Sequence, residues 1–229
     1  MLEVHHLNKK FNQQPILKDL SLTVKKGEVT CLIGHNGSGK TTLMNAIMQL
    51  LPYQSGSVTI DGKPLTVNDF NRISYIPDQI IVLKHQTIQD SLDYMANYYT
   101  SFNAHKAAEL LEFFQLNRDQ RVSQLSKGNI AKLNLLLGMS LETEYILMDE
   151  PFSGIDLLSR EQIAQVFTTE LLKGRGVLIS THEINDIEHL IDKVVLLQAG
   201  TVIRDFYPEE VRAEEGKSIV DVMREEYSK

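Results

Sequence analysis

Apolar and polar residues alternate in the first third of the chain, and this period of two predicts β-strands with one buried face. Four strands are predicted, over residues 16–24, 29–33, 57–60 and 73–76. The second of them leads through a glycine-rich loop into a predicted helix. The apolar residues on one side of this helix are Leu43, Ile47 and Leu50. This region is therefore expected to form a sheet with a helix packed on it.

Between about residues 85 and 140 the apolar residues recur every three or four positions, which predicts helices. Thr87 and Asp90 have the spacing of a capping box, and Asn103 and Ser126 are suited to begin two further helices. Apolar residues at helical spacing are Leu92, Met95, Tyr98 and Tyr99, then Ala107, Leu110, Leu111 and Phe114, then Ile130, Leu133, Leu136 and Leu137. The pattern predicts a helical insertion.

Strands and helices alternate again in the last third of the chain. Short apolar strands over residues 145–148 and 177–180 flank a predicted helix over residues 159–172. Such alternation predicts a parallel sheet with crossover helices. Two further short strands, over residues 194–197 and 201–203, predict a closing hairpin, and residues 207–229 predict an acidic amphipathic helix.

Composition narrows the classes of function. The chain has 229 residues, a formal net charge of −7 and no run of basic residues, so nucleic acid is not the expected main partner. No stretch reaches the roughly 18 apolar residues that span a bilayer, and residues 1–6 lack the features of a secretion signal. We therefore expect a cytosolic protein. Cys31 is the single cysteine, which excludes an internal disulfide, and its apolar neighbours predict a buried side chain.

The glycine-rich loop carries the clearest chemistry. Its residues are Gly34, His35, Asn36, Gly37, Ser38, Gly39, Lys40, Thr41 and Thr42. They fit the P-loop pattern, in which backbone N–H groups and a helix N-terminus surround phosphate oxygens. In such loops the lysine reaches the β- and γ-phosphates and the next hydroxyl ligates Mg²⁺, which assigns these roles to Lys40 and Thr41. The loop therefore predicts binding of Mg-ATP.

Two carboxylates end the predicted strand over residues 145–148. In P-loop proteins the aspartate at this place holds Mg²⁺, which assigns Asp149 to the metal. Because side chains alternate along a strand, Glu150 is expected to point to the opposite side and to reach an attacking water. We therefore predict that Glu150 is the general base.

The segment that begins the third helix of the insertion admits two interpretations. Ser126 offers a hydroxyl, and Gly128 exposes backbone N–H groups at a helix start, which together would form a second anion site. The alternative is that Ser126 is an ordinary helix N-cap.

Together these motifs resemble the ATP-binding subunit of an ABC transporter, over about residues 1–206. P-loop, glutamine-type loop, signature, Asp-Glu strand, Ser-Gly-Ile-Asp segment and switch histidine occur in the order of that family. The resemblance implies an α/β P-loop NTPase fold, with a RecA-like parallel sheet core and an antiparallel β subdomain, interrupted by an α-helical insertion. It also implies hydrolysis of ATP to ADP and phosphate, coupled to transport.

The resemblance implies a division of the chain as well. An ATPase domain would cover residues 1–206, with its core in residues 1–84 and 141–206 and a helical subdomain in residues 85–140. A C-terminal helical extension would follow in residues 207–229.

Further roles follow from the resemblance by matching positions. Ser126 and Gly128 would contact the γ-phosphate of ATP held by a second subunit, in a head-to-tail dimer with two ATP molecules between its halves. Asp156 ends a segment, Ser153-Gly154-Ile155-Asp156, that resembles the loop linking the two sites. His182 resembles the switch histidine that contacts the γ-phosphate, and it joins Lys40 and Glu150 as a predicted catalytic residue.

Three further places in the chain are compared with the family separately. Phe11 lies where the family places an aromatic that stacks on adenine, although aromatics near a strand end are more often core residues. In the signature, the segment that contains Ser126 and Gly128, Lys127 replaces a glycine and Asn129 replaces a glutamine. The Lys127 side chain either approaches phosphate or faces solvent. The family has a glutamine here that helps to bind Mg²⁺, and this chain offers two candidates for it. Matching the residues that precede it favours Asp78, whereas the type of side chain favours Gln79.

Partners are expected from the resemblance. A separate integral membrane permease would dock in the groove between core and insertion, and a second ATPase subunit, identical or different, would complete the sites. The apolar loop 80–83, with Tyr94, Tyr98 and Tyr99, either docks the permease or is buried within the insertion. The chain would then lie at the inner face of the cell membrane.

Three functions compete. The motifs favour a transporter motor and lean toward the antibiotic and multidrug exporter branch. A relative acting on the ribosome or on DNA is disfavoured by the single P-loop and the acidic balance. A regulator that binds ATP without hydrolysing it is disfavoured because Lys40, Asp149, Glu150 and His182 are all present.

Overall fold

The chain builds two β-sheets, one antiparallel and one mostly parallel, with helices against them. The computed structural model describes residues 1–79, 82–167, 172–182, 184 and 187–228. The strands are β1 (Leu2–Phe11), β2 (Gln14–Val24), β3 (Val29–Ile33), β4 (Ser55–Ile60), β5 (Lys63–Pro64), β6 (Ile73–Ile76), β7 (Tyr145–Asp149), β8 (Gly176–Thr181), β9 (Lys193–Gln198) and β10 (Thr201–Phe206). The helices are α1 (Lys40–Ile47), α2 (Ile88–Tyr98), α3 (Ala104–Phe113), α4 (Lys127–Met139), α5 (Leu157–Phe167), α6 (Pro208–Glu215) and α7 (Ile219–Tyr227).

The mostly parallel sheet sets the position of the site. Its strand order over the described residues is β10-β9-β3-β8-β7-β6, and only β10 runs antiparallel to its neighbour. Ile33 pairs with Thr181, and Asp149 pairs with Ser180, so β3, β7 and β8 end at one edge. Open α/β sheets bind ligands at this carboxyl edge. Every segment with predicted chemistry after β3, β6, β7 and β8 therefore meets in one place.

Alternation along the parallel strands divides the interior into two packed layers. Leu32 and Leu178 face α1 and the antiparallel sheet, whose strand order is β2-β1-β4-β5. Ile33 and Ile179, one residue further along each strand, face the layer that contains α4 and α5. The architecture matches the predicted α/β core with an antiparallel sheet beside it.

The helices between β6 and β7 begin where the sequence predicts. Thr87 accepts a hydrogen bond from the Asp90 N–H at 3.0 Å, and Asn103 accepts one from the Lys106 N–H at 3.0 Å. Helix α4 lies directly against β6, because a Cβ at Gly138 would come within 2.3 Å of Ile76 Cγ1. None of the helices in the described part of the chain is both long and apolar enough to cross a membrane.

Several sequence predictions need correction. Leu50 lies beyond the end of α1 and is 62% exposed, so it does not share the buried face. Tyr98 is 72% exposed because it lies on the outer side of α2. The tail predicted as one helix over residues 207–229 forms two helices in its described part, residues 207–228, since Gly216 turns the chain between them in the left-handed region at φ 67°.

Two more elements differ from the prediction, one in its existence and one in its starting residue. Strand β1 was missed, because bulges between Val4 and Lys9 break its alternation of apolar and polar residues. Helix α5 starts at Leu157, two residues earlier than predicted, and the end of the predicted helix, at residues 168–171, lies outside the described residues. The predicted strands at residues 145–148 and 177–180 and the closing hairpin are confirmed.

Candidate functional site

The glycine-rich loop is tightly wound between β3 and α1. A Cβ at Gly34 would lie 2.4 Å from Ser38 Oγ and 2.6 Å from the Leu197 carbonyl oxygen, so no larger residue fits there. Gly39 has φ 112°, a conformation that favours glycine, and a Cβ there would lie 2.9 Å from Leu17 Cδ2. The loop backbone thus packs so closely against its neighbours that side chains at Gly34 and Gly39 would not fit.

Lys40 begins α1 and is only 6% exposed. Its ammonium group donates to the Gly34 carbonyl oxygen at 2.7 Å and lies 3.0 Å from Glu150 Oε1. A buried ammonium group needs a partner of opposite charge, and the glutamate supplies it. The lysine and the predicted general base are therefore in direct contact across the mouth of the loop.

Asp149 is held in a fixed orientation at the end of β7. Its carboxylate is 2% exposed and accepts a hydrogen bond from Ser180 Oγ at 2.5 Å. The same hydroxyl accepts a hydrogen bond from the Glu150 N–H at 3.0 Å. Ser180 thereby positions both acidic residues, a role that the sequence analysis did not predict. Its signal was its place at the end of the strand that precedes His182.

Glu150 leaves the strand rather than continuing it. Strand β7 ends at Asp149, and Glu150 adopts a left-handed conformation with φ 47°. The direction of the Glu150 side chain is therefore set by this turn. The prediction of its orientation relied on alternation along the strand, and that alternation stops at Asp149. Glu150 Oε2 lies 2.8 Å from His182 Nδ1, so the carboxylate bridges the histidine and the lysine.

A cavity of about 530 Å³ lies over these groups. Its lining includes Phe11, Asn36, Gly37, Gly39, Lys40, Thr41, Thr42, Asp78, Glu150 and His182. Phe11 is 42% exposed at its rim, with the Lys9 ammonium 4.6 Å from the ring centre. The structure thus brings together the predicted adenine-stacking residue, the loop and the predicted catalytic residues.

The segment after β6 places Asp78 and Gln79 differently. Both residues line two neighbouring cavities, one of them shared with Thr41 and Asp149, and Asp78 also lines the cavity beside Lys40. Burial, and then the negative charges of Asp149 and Glu150, raise the pKa of Asp78. Asn134 of α4 holds this segment by donating to the carbonyl oxygens of Pro77 and Gln79, at 3.2 Å and 3.3 Å. Sequence reasoning missed Asn134, because nothing in its helix pattern marks the contact.

Ser126 and Gly128 lie apart from the cavity that Lys40 lines. Ser126 Oγ accepts a hydrogen bond from the Asn129 N–H at 3.2 Å and so acts as the N-cap of α4. Gly128 packs on α5, since a Cβ there would lie 2.5 Å from Ser159 Oγ. The N-cap role does not exclude a second role, because the side chain remains exposed.

Asp156 caps the start of α5. Its carboxylate accepts from the Ser159 N–H at 2.9 Å and from Ser159 Oγ at 2.8 Å, and these hydrogen bonds lower the pKa of Asp156. Lys127 extends toward the same region, with its ammonium group 3.1 Å from the place of a Cβ on Gly154. The starts of α4 and α5 therefore lie against each other at Gly128, while Ser153, at the other end of the Asp156 segment, lines the cavity over Lys40.

The loop offers groups that fit a nucleotide phosphate. Ser38 Oγ is buried and has no hydrogen-bond partner among the residues that the structure describes. Buried polar atoms are nearly always paired, so an unpaired hydroxyl inside a glycine-rich loop fits a ligand oxygen. Thr41 and Asp149 line a common cavity and carry the oxygen donors that Mg²⁺ prefers.

Comparison with known proteins gives concordant results. The family model of ABC transporters matches residues 17–153. The chain is 30% identical over 217 residues to the ABC transporter ATP-binding protein YtrB of Bacillus subtilis, covering 93% of this chain and 74% of that protein. It is 27% identical over 226 residues to the lipopolysaccharide export system ATP-binding protein LptB of Haemophilus influenzae, covering 94% of each.

A solved structure is similar over nearly its whole length. This structure, of an ATP-binding subunit of an ABC transporter, superposes with a TM-score of 0.86 at 27% identity and covers 98% of each chain. The α/β P-loop NTPase fold implied by the sequence is therefore confirmed. With more than half of the chain matched by the family model, the protein belongs to the ABC transporter family and is one of its ATP-binding, ATP-hydrolysing subunits.

Proposed function

We propose that this chain hydrolyses Mg-ATP as one half of a head-to-tail dimer and drives a separate membrane permease that exports its substrate. The observation that supports the ATPase chemistry most strongly is the contact of Lys40, Glu150 and His182 over the loop. Three chemically distinct groups from three separate segments meet beside one cavity of about 530 Å³. The nucleotide in this proposal is ATP, and the metal is Mg²⁺.

Binding begins with the phosphates. Backbone N–H groups of the loop and the N-terminus of α1 attract phosphate oxygens, and Lys40 turns from Gly34 and Glu150 toward the β- and γ-phosphates. Phe11 at the rim stacks on the adenine, because its exposed ring offers a flat face. Asn36, Gly37, Ser38, Gly39, Thr41 and Thr42 complete this cradle around the nucleotide.

The metal ligands of the chain are Thr41 and Asp149, with Asp78 or Gln79 as the third candidate. Two oxygen donors from the protein suffice, since Mg²⁺ keeps several waters and binds substrate phosphates. When bound, Mg²⁺ neutralises the charge on the phosphate oxygens. Ser180 holds the Asp149 carboxylate toward this place.

Glu150 takes the proton of the attacking water. Its side chain is only 13% exposed, and once Lys40 turns to phosphate, Glu150 Oε1 loses its cationic partner and can accept a proton. His182 Nδ1 lies against Glu150 Oε2, so the histidine orients this carboxylate beside the place of the γ-phosphate.

A second copy of an ATPase subunit completes the site. Ser126 and Asp156 are exposed at the starts of α4 and α5, which pack together at Gly128, and they do not line the cavity over the loop of their own chain. This position suits contact with a nucleotide held by a partner. Leu157 and Leu158, directly after Asp156, are 64% and 72% exposed. Exposed apolar residues of this kind mark protein contacts. We infer that this face meets the loop of the other subunit.

The permease docks on an exposed apolar surface next to the segment after β6. Leu83 is 57%, Tyr94 50% and Tyr98 72% exposed, and the rings of Tyr94 and Tyr98 lie 4.5 Å apart. Ile80 and Ile81, assigned to the same surface from sequence, lie outside the described residues. Docking there places the chain at the inner face of the cell membrane. Export as the direction is supported by the motif resemblance and by the name of the relative LptB.

Turnover of ATP tests the proposal. Glu150→Gln keeps the shape of the side chain but cannot accept a proton, so the rate of ATP hydrolysis is expected to fall by about 10²-fold or more while ATP binding persists. Phosphate release with Mg-ATP measures the rate, and Glu112→Gln on the surface of α3 is the control carboxylate. Equal rates for wild type and Glu150→Gln would sink the assignment of the general base.

A further inference from the structure

The C-terminal helix ends against the beginning of the P-loop. Helix α7 is anchored by Ile219 and Val222, which are buried in the layer that also contains Ile33. Its last residue is Tyr227. Although 194 residues separate Tyr227 from Ile33 in the chain, their contact is direct.

Tyr227 touches the loop region in two ways. Its hydroxyl group donates to the Ile33 carbonyl oxygen at 3.0 Å, with the Leu197 carbonyl oxygen next nearest at 3.4 Å. Its ring lies 4.9 Å from the ring of His35, tilted by 55°. Ile33 ends β3, and His35 is the second residue of the loop, so both contacts fall where strand becomes loop.

The donor is kept in its protonated form. Burial raises the pKa of Tyr227 to about 12, so the hydroxyl hydrogen remains in place at neutral pH. A charge cluster orders the same end of the helix, because Arg204 of β10 pairs with Glu226 at 3.3 Å and with Glu215 at 2.8 Å. Apolar anchoring and ion pairing therefore hold Tyr227 in position by independent means.

Successive carbonyl groups at the start of the loop have different partners. Ile33 is held by Tyr227, Gly34 by the Lys40 ammonium group at 2.7 Å, and His35 by the Ser38 N–H at 3.0 Å. In the proposed function Lys40 turns to the phosphates and releases Gly34. Tyr227 does not line the cavity over Lys40, so we expect its contact with Ile33 to hold the loop when the lysine has left.

We propose that Tyr227 is a positioning residue for ATP binding: the C-terminal helix fixes the start of the P-loop through the Tyr227 hydroxyl on Ile33 and the Tyr227 ring on His35. The inference rests on the proposed function, since it takes the loop to be the ATP site. It gives residues 207–229, which carry no chemical motif, a direct role at that site. Tyr227 itself touches no substrate and acts through the loop.

The test compares two single-atom deletions in the same tail. Tyr227→Phe removes the hydroxyl but keeps the ring, and Tyr207→Phe removes a hydroxyl that accepts from Lys25 at 2.6 Å, away from the loop. We expect Tyr227→Phe to weaken ATP and ADP binding about 3- to 10-fold and to raise KM similarly, with kcat within about twofold. Tyr207→Phe is expected to bind both nucleotides like wild type.

Calorimetric titration with ADP, which excludes turnover, is the measurement, and thermal unfolding of each variant is recorded beside it. If Tyr227→Phe binds ADP as tightly as Tyr207→Phe, the inference is overturned, whatever its unfolding temperature. Lys40→Ala separates the two proposals. If Lys40→Ala binds ADP like wild type, the ATP site itself is misassigned; if only Tyr227→Phe behaves like wild type, the proposed function stands and the inference fails.

Discussion

At the scale of single residues, the segment after β6 departs most from the pattern of the family. Two residues compete for the role of its glutamine, and the sequence leaves both open. Asp78 shares a cavity with Lys40 and Glu150, and the pKa of its carboxyl is raised by burial and by the nearby acidic residues. Gln79 does not line that cavity, but both residues line the cavity that Thr41 and Asp149 share. We propose Asp78 as the residue that faces both the metal and the nucleotide.

Alanine substitutions distinguish the two residues. We expect Asp78→Ala to reduce kcat about tenfold or more and to raise the Mg²⁺ concentration needed for half-maximal rate, because groups that orient a metal typically contribute 10- to 100-fold. Gln79→Ala should change both quantities less than about twofold. Hydrolysis rates measured across a Mg²⁺ titration check this. A larger loss for Gln79→Ala would assign the role to the amide instead.

The sequence indicates some residues of the site and not others, and the reason is physical. Lys40 and Thr41 belong to a local pattern whose spacing carries its own mechanism. Ser180 reaches Asp149 only because β7 and β8 lie side by side, and Tyr227 reaches Ile33 from the far end of the chain. Contacts of this kind depend on tertiary packing, which periodicity along the sequence does not encode.

At the scale of elements, helix starts were predicted well and helix faces less well. Thr87 and Asn103 cap α2 and α3 as predicted, because capping is a local interaction. The predicted apolar pattern of α2, however, includes Tyr98 and Tyr99, which are 72% and 42% exposed. Only Leu92 and Met95 of that pattern are buried. An apolar pattern predicts an amphipathic helix without telling which part of it a partner covers.

Charge introduced on this exposed face tests the proposed docking surface. Tyr98→Glu and Leu83→Glu are expected to abolish association with membranes, because a carboxylate cannot be buried unpaired in an apolar interface. ATP hydrolysis by the purified chain should stay within about twofold, since neither residue lines the cavity over Lys40.

Sedimentation of the chain with membranes from the expressing cells is the measurement. Val67→Glu, at a position that is 85% exposed on another part of the surface, is the matched control. If both docking variants still sediment with membranes as Val67→Glu does, the surface has been placed wrongly. Copurification from detergent-solubilised membranes then identifies the partner that the wild-type chain brings down.

At the scale of the whole molecule, the predicted residues fall into two groups. The loop, Asp149, Glu150 and His182 meet at the carboxyl edge of the parallel sheet, as their positions after strands predict. Ser126 and Asp156 cap the starts of α4 and α5, which pack against each other at Gly128. The order of motifs along the chain was enough to predict the fold, but not this separation, which depends on how the helices pack on the sheet. In the proposed function these two groups are complementary half-sites, which a head-to-tail dimer would join.

Nucleotide-dependent dimerisation tests this account most directly. The mass of Glu150→Gln in solution, measured by sedimentation or light scattering with Mg-ATP, with Mg-ADP and without nucleotide, is the decisive quantity. A second variant adds Ser126→Glu, which brings a negative charge toward the partner's phosphate, and Asn103→Glu at the N-cap of α3 is its control. We predict a dimer with Mg-ATP alone, lost with Ser126→Glu and kept with Asn103→Glu. A monomer in all conditions, or a dimer that ignores both nucleotide and Ser126→Glu, would contradict the account.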